Sequence, residues 1–330
     1  MSGEQNQGER QTESPGVGVR LVEIAEEAGQ RIDNFLLKTL KNVPRSHVYR
    51  ILRRGEVRVN GGRIKPTYRL CAGDRVRIPP HRPGPSVEAR ELGAQQIRWV
   101  ADAIIYEDAD FIVLDKPAGL AVHGGSGVSF GVIEALRQLR NDPGLELGHR
   151  LDRDTSGCLI VARRRSALTG LHALLRAGAI DKRYTLLVYG HWPSDLNTVQ
   201  QPLTRYLLAS GERRVRIDPQ GKASRTDFEV RARCRKATWL DAVLHTGRTH
   251  QIRVHAFASG HGVVGDPKYG DVVQQRLGTE LDVDRLCLHA ASIAFEWKGQ
   301  PVRFECPLPV AMQQIWSRLE GSDQPSTATP

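Results

Sequence analysis

At 330 residues and 40% hydrophobic content the chain is long enough for two domains and a sizeable core, and it contains no apolar run long enough for a membrane helix. Its five cysteines (Cys71, Cys158, Cys234, Cys287, Cys306) form no Cys-x-x-Cys pair, which argues against a disulfide framework or a zinc site and suits a reducing cytoplasm. The formal net charge of +10 is confined to one segment: between Arg31 and Ile78 stand 13 Lys and Arg against three acids, while the remainder balances at 34 of each sign.

Met1 to Val19 is rich in Gly, Gln, Glu and Ser and lacks the basic and apolar regions of a signal peptide, so residues 1–19 are expected as a disordered tail. Ile32, Phe35, Leu36 and Leu40 fall at helical spacing, and Val48, Ile51 and Leu52 predict a second short helix closed by Gly55. Arg50, Arg53 and Arg54 lie on the other face of that helix, projecting together into solvent. Val57 and Val59 alternate ahead of the turn Asn60-Gly61-Gly62, and Val76-Arg77-Ile78 follows a turn at Gly73-Asp74. Residues 20–80 therefore read as a small α/β domain with the electrostatic footprint of a phosphate-backbone binder, although an acidic protein partner would also satisfy that charge.

The Pro-rich stretch Pro79 to Pro85 cannot continue a helix or a central strand, and a linker is expected over residues 81–100. The next domain is expected over 101–318, with a disordered tail from 319 to 330. Within it, strands are predicted at Ile104 to Tyr106 and Phe111 to Leu114, a helix from Phe130 to Arg140 capped by Ser129, and another marked by Leu168, Leu171, Leu174 and Leu175. Strand signals return at Tyr184 to Val188, Phe228 to Ala232, Trp239 to Leu244 and Ser292 to Trp297. Strands outnumber helices without regular alternation, which predicts an α+β domain with a largely antiparallel sheet.

The chemically telling stretch is His149-Arg150-Leu151-Asp152-Arg153-Asp154-Thr155-Ser156-Gly157, just ahead of the apolar run Cys158 to Ala162. It sets Asp152 between two guanidinium groups on a turn that feeds a buried strand, making it a candidate anionic nucleophile. A surface ion-pair loop would have the same composition. Two rival chemistries are weaker. Gly127-Val128-Ser129-Phe130-Gly131 is formally a G-x-S-x-G, but His123-Gly124-Gly125-Ser126 adjoins it directly, leaving no room for an oxyanion hole facing the serine. Asp152 and Asp154, two residues apart on one loop, cannot easily flank a sugar as a glycosidase pair must, since those carboxyls stand about 5 to 9 Å apart on opposite sides of the bond. His245, His250 and His255 recur every five residues, not at the i, i+4 spacing of a helical zinc pair, and read better as core or RNA-contact residues.

The nonapeptide resembles the signature of the pseudouridine synthases of the large-subunit ribosomal RNA group. The resemblance continues through Leu114 to Gly119, His123 to Gly127, Lys182-Arg183-Tyr184, Gly247 to His255 and Leu286 to Ala290, covering roughly residues 100 to 310. The run Ser126 to Leu136 is similar to the C-type branch of that group, and residues 20–80 resemble the S-four-like RNA-binding domain that often precedes its catalytic domain. The resemblance implies that specific uridines of large-subunit (23S) ribosomal RNA, near the peptidyl-transferase centre, are isomerised to pseudouridine. It implies Asp152 as the catalytic aspartate, Tyr184 stacked on the uracil, and Arg253 paired with Asp152. It also implies Arg150 filling the space left by an extruded base, while Arg153 is read more simply as a phosphate contact. Arg50, Arg53 and Arg54 are the expected RNA contacts of the small domain. No cofactor is expected, because nothing external is consumed, and no phosphate-cradling loop is present. A cytoplasmic monomer is anticipated. A synthase acting on other ribosomal or transfer RNA uridines, or a non-catalytic RNA-binding assembly factor, are the alternative readings.

Overall fold

A computed structural model of the chain describes residues 18–25, 27–40, 43, 45–80, 94–124 and 130–321. Most of the expected tails, residues 81–93 of the expected linker, and the Ser129 cap lie outside the described residues. The rest divides into two compact units, one on either side of the Pro-rich stretch.

The smaller unit runs β1 (Arg20–Glu23), α1 (Ile32–Thr39), α2 (Arg45–Arg54), β2 (Arg58–Val59) and β3 (Arg75–Ile78). Its antiparallel sheet has the order β1-β3-β2. The apolar residues expected to face inward do so: Ile32, Phe35 and Leu36 of α1 and Val48, Ile51 and Leu52 of α2 pack against Val57, Val59, Val76 and Ile78. Each fully buried aliphatic side chain contributes on the order of 1.5–3 kcal/mol relative to exposure. Helix α2 stops at Gly55, whose φ of +70° is open to glycine without the steric cost of a Cβ. Buried Asp74 pins both turns, accepting from Asn60 Nδ2 (2.8 Å), the Tyr68 hydroxyl (3.0 Å) and the Cys71 amide (2.8 Å).

The larger unit begins with α3 (Ala94–Asp102), β4 (Ile104–Glu107), β5 (Phe111–Lys116), α4 (Val132–Arg140), β6 (Glu146–Leu147), β7 (Ser156–Ala162) and α5 (Arg165–Ala177). It continues through β8 (Asp181–Tyr189), β9 (Thr198–Val199), β10 (Leu203–Leu207), β11 (Arg213–Ile217), β12 (Thr226–Arg233) and β13 (Ala237–Leu244). It closes with α6 (Gln251–Ala258), α7 (Val272–Glu280), β14 (Leu288–Trp297), β15 (Gln300–Glu305) and α8 (Val310–Gly321). The main sheet has the order β4-β5-β7-β14-β8-β13-β12-β9, with β15 on β14 and β6 on β7. Every pairing in it is antiparallel except β7 with β14, so the unit is the expected α+β fold with a mostly antiparallel mixed sheet. Strands β10 and β11 form a separate hairpin.

Both faces of the sheet are covered where it matters for the site. Along β8, Tyr184, Leu186 and Val188 enter one core cluster while Leu187 and Tyr189 enter another. Every residue of β7 is buried, as its unbroken apolar run requires of a central strand. The extent of helix departs from expectation at two ends. Residues 94–100, expected as linker, are helical, because Val100 is fully buried with Ile97 and Trp99 packed beside it. Helix α8 runs to Gly321 and buries Leu319, so the first residues of the expected tail belong to the fold. Helices α6, α7 and α8, strand β15 and the β10–β11 hairpin lie outside the elements that the sequence predicts.

Candidate active site

The loop between β6 and β7 carries Asp152, and buried neighbours hold it from both ends. Leu151 is 7% exposed and packs in the main core, Thr155 is 2% exposed, and the Thr155 amide donates to the Asp152 carbonyl at 3.2 Å. His149 accepts the Ile160 amide on Nε2 at 3.1 Å, so that nitrogen carries no proton. Burial, with the Lys182 ammonium nearby, pushes the His149 pKa down to about 4. Beneath the loop, Lys116 of β5 is fully buried and donates to the carbonyls of Pro117 (2.8 Å), Leu120 (3.0 Å) and Arg153 (3.0 Å). Burial drives its pKa down to about 7, against the pull of the Asp154 and Asp152 carboxylates. The ammonium is thus a clamp joining two loops through their backbones.

With its ends tied, the loop leaves the Asp152 side chain 24% exposed at the surface of the domain. The cation that reaches it is not one of its sequence neighbours. Arg153 donates instead to the Gly119 carbonyl at 3.0 Å and lies 3.9 Å from Asp154, and Arg150 is exposed. The partner is Arg253, whose Nη1 stands 3.4 Å from Asp152 Oδ2. Arg253 comes from α6, and its side chain is 2% exposed. Its remaining nitrogens fork onto Asp266, Nε to Oδ2 and Nη2 to Oδ1, each at 2.7 Å. Burial opposes the guanidinium charge, but the hydrogen bonds and charge of Asp266, with Asp152 behind it, more than offset this and raise its pKa. Asp266 also accepts the amides of Lys268 (2.8 Å) and Tyr269 (3.1 Å), and the Tyr269 ring lies 5.2 Å from the guanidinium carbon. The guanidinium is therefore fixed on its Nε and Nη2 side, with Nη1 left to face the Asp152 carboxylate.

Tyr184 is 9% exposed on β8, in the cluster that includes Leu151. Burial, with the Asp152 charge nearby, raises its pKa, so the phenol is protonated at neutral pH. The structure thus gathers Asp152, Tyr184 and Arg253 into one site, with Arg150 and Arg153 on the same loop as the carboxylate. Arg50, Arg53 and Arg54 are exposed on α2 of the smaller unit. Of the three evenly spaced histidines, His245 hydrogen bonds Asp227, His255 lies between Ser224 and Thr226, and His250 contacts Tyr269. Sequence reasoning missed Asp266, Tyr269 and the structural role of Lys116. No local spacing marks them, because each acts on a residue distant in the chain.

Residues 110–258 match the RNA pseudouridylate synthase family, and residues 30–76 match the S4 domain. The chain is 50% identical over 317 residues to "Ribosomal large subunit pseudouridine synthase C" of Escherichia coli strain K12, covering 94% of this chain and 99% of that protein. Proteins of the same name from Pasteurella multocida and Yersinia pestis are 51% and 52% identical, over 91% and 88% of this chain and 94% and 92% of theirs. Among solved structures, "Human RNA Pseudouridylate Synthase Domain Containing 4" shares the fold with a TM-score of 0.56 at 23% identity, covering 69% of this chain and 98% of that one. "Human RNA Pseudouridylate Synthase Domain Containing 1" aligns with a TM-score of 0.53 at 26% identity, over 68% and 96%.

Proposed function

We propose, for a chain that belongs to the RNA pseudouridylate synthase family, that it isomerises uridines of large-subunit ribosomal RNA to pseudouridine with Asp152 as the reacting carboxylate. The observation that carries this reading is the contact between a part-exposed Asp152 and the buried, doubly anchored Arg253. A surface ion pair needs no such fork. The reaction breaks the bond between N1 and the ribose, turns the uracil, joins carbon 5 to the sugar, and removes the carbon 5 proton while N1 takes one up. Atoms balance without an external reactant, so the protein's work is to hold, orient and exchange protons. Asp152 supplies an anionic oxygen, whether it attacks the sugar or the ring or assists formation of a glycal. Arg253 fixes that oxygen's direction, and Tyr184 offers a protonated aromatic face on which uracil stacks.

The target base leaves its stack to reach Asp152, with Arg150 filling the vacated space, Arg153 on phosphate, and Arg50, Arg53 and Arg54 gripping the RNA backbone. Among the described residues no helix is long and apolar enough to cross a membrane. A ribosomal RNA substrate supports reading it as a cytoplasmic protein, and we take it to act as a monomer. The intact set of Asp152, Tyr184 and Arg253 favours an enzyme over an RNA-binding assembly factor that merely keeps the fold. Asp152→Asn preserves size while removing the anionic nucleophile, so the purified variant is expected to fold and bind ribosomal RNA without forming pseudouridine. Substantial turnover by that variant would refute the assignment. Mapping pseudouridines in total RNA from cells with and without the protein identifies the target uridines.

A further inference from the structure

The start of α6 presents two side chains to Asp152, not one. His250 immediately precedes the helix and Arg253 stands in its first turn, and both side chains approach Asp152. His250 Nε2 stands 3.9 Å from the same Oδ2 that Arg253 Nη1 approaches at 3.4 Å. His250 has φ 53° and ψ 21°, the left-handed region that costs a non-glycine residue on the order of 1 kcal/mol. What holds the ring there is Tyr269, whose hydroxyl lies 2.7 Å from His250 Nδ1 and accepts the Val215 amide of β11 at 2.9 Å.

Hydrogen-bond accounting assigns the tautomer. The Tyr269 oxygen already receives the Val215 N–H, and burial pushes the phenol's pKa up to about 12, so it keeps its proton. Among the described residues its other hydrogen-bond partner is His250 Nδ1, which therefore accepts. The groups facing the imidazole are Asp152, Arg253, Lys268, Asp266 and Tyr269, and burial outweighs the pull of Asp152 to lower its pKa. The ring is neutral at neutral pH, and its single proton sits on Nε2, on the side of Asp152.

We propose that His250 is a positioning residue for Asp152: Tyr269 sets it in the Nε2–H tautomer, and with Arg253 it holds carboxylate oxygen Oδ2, leaving Oδ1 as the reacting oxygen. This rests on the reading of Asp152 as the reacting carboxylate. The chain Val215 N–H, Tyr269 hydroxyl, His250 imidazole, Asp152 carboxylate also ties the β10–β11 hairpin to the reacting group. The last link, at 3.9 Å, is longer than a hydrogen bond, and the proposal requires it to shorten in the reacting complex.

The test combines a tautomer readout with kinetics on full-length protein. In protein labelled with 15N-histidine, the His250 signals, identified by their loss in His250→Asn, are expected to report the Nε2–H tautomer at neutral pH. Tyr269→Phe removes only the hydroxyl and is expected to turn this into a tautomer mixture. Asparagine tolerates the left-handed backbone, so His250→Asn retains the helix start, which a thermal melt checks. On a ribosomal RNA fragment, each single variant is expected to lose about tenfold in kcat with KM nearly unchanged, and the double variant to be no slower than the slower single. An Nδ1–H tautomer in the wild type, losses that multiply in the double variant, or a change in KM alone would overturn the proposal. If Asp152→Asn is inactive while the two losses multiply, only the role of His250 fails. Turnover by Asp152→Asn would overturn both readings.

Discussion

A Cβ built on Gly157 would lie 2.2 Å from the carbonyl oxygen of Ala290. The two residues are paired in the one parallel register of the main sheet, where β7 leaves the Asp152 loop and runs beside β14. Gly157 also has φ of +108°, a conformation that L side chains rarely adopt. Gly157→Ala therefore combines a backbone clash with strain, and we expect a loss of stability on the order of 2–4 kcal/mol. Urea denaturation measures it. A variant as stable as the parent would show that β7 and β14 can separate without cost.

The same strand junction predicts acid sensitivity. His289 is fully buried, with Nδ1 2.9 Å from Ser156 Oγ and Nε2 3.4 Å from the Cys306 carbonyl, and Arg285 Nη2 donates to Ser156 Oγ at 2.7 Å. Burial drives its pKa down to about 4, with the Arg285 charge acting in the same direction. Between pH 6.5 and 4 the unfolded chain takes up a proton that the folded imidazole refuses. Stability present above pH 6.5 is therefore lost as the pH falls through that window, by up to about 3 kcal/mol from this residue. His289→Gln is expected to be less stable at pH 7.5 yet to lose less on acidification. Equal losses between pH 7 and 4 in both proteins would contradict the assignment.

Arg150 is exposed on the Asp152 loop, and its planar guanidinium is suited to stack between bases. Arg150→Ala leaves Asp152 and Arg253 in place, so its effect is expected to depend on how firmly the target uridine is stacked. Unstacking costs a few kcal/mol in a stem and least in an unpaired strand. At saturating enzyme, activity is expected to fall much further on a stem or tight loop than on a flexible strand with the same uridine context. An equal fractional loss would mark Arg150 as a phosphate contact.

On α2, Arg50 contacts His47 Nδ1 at 2.6 Å, Arg53 donates to the Tyr49 carbonyl at 3.3 Å, and Arg54 lies 3.8 Å from Glu56, all on an exposed surface. If each neutralises one phosphate, replacing all three by alanine lowers the slope of log affinity against log salt by about 2, from roughly 0.7 per single-strand contact. Filter binding across a salt series reads this directly. An unchanged slope would move the RNA contacts elsewhere.

Much of this molecule is legible in its local sequence. The apolar spacing of Ile32, Phe35 and Leu36 and of Val48, Ile51 and Leu52 determined two helices and the face each buries, because helical period and burial are properties of neighbouring residues. The unbroken run Cys158 to Ala162 determined a central strand, and the nonapeptide marked Asp152. What composition and spacing alone could not determine is which groups surround that carboxylate. They offer only the chain neighbours Arg150 and Arg153 as cations, whereas Arg253, 101 positions away and expected only from the family resemblance, is the one that makes contact. The fork onto Asp266, the Lys116 clamp on the Arg153 carbonyl and the Tyr269 bond to His250 arise only when β5 meets the loop before β7 and the loop after α6 folds back on that helix. Local pattern specifies which face of an element is apolar, whereas the partners of a polar group at the mouth of a sheet depend on loop closure over long chain separations, which no short window of residues encodes.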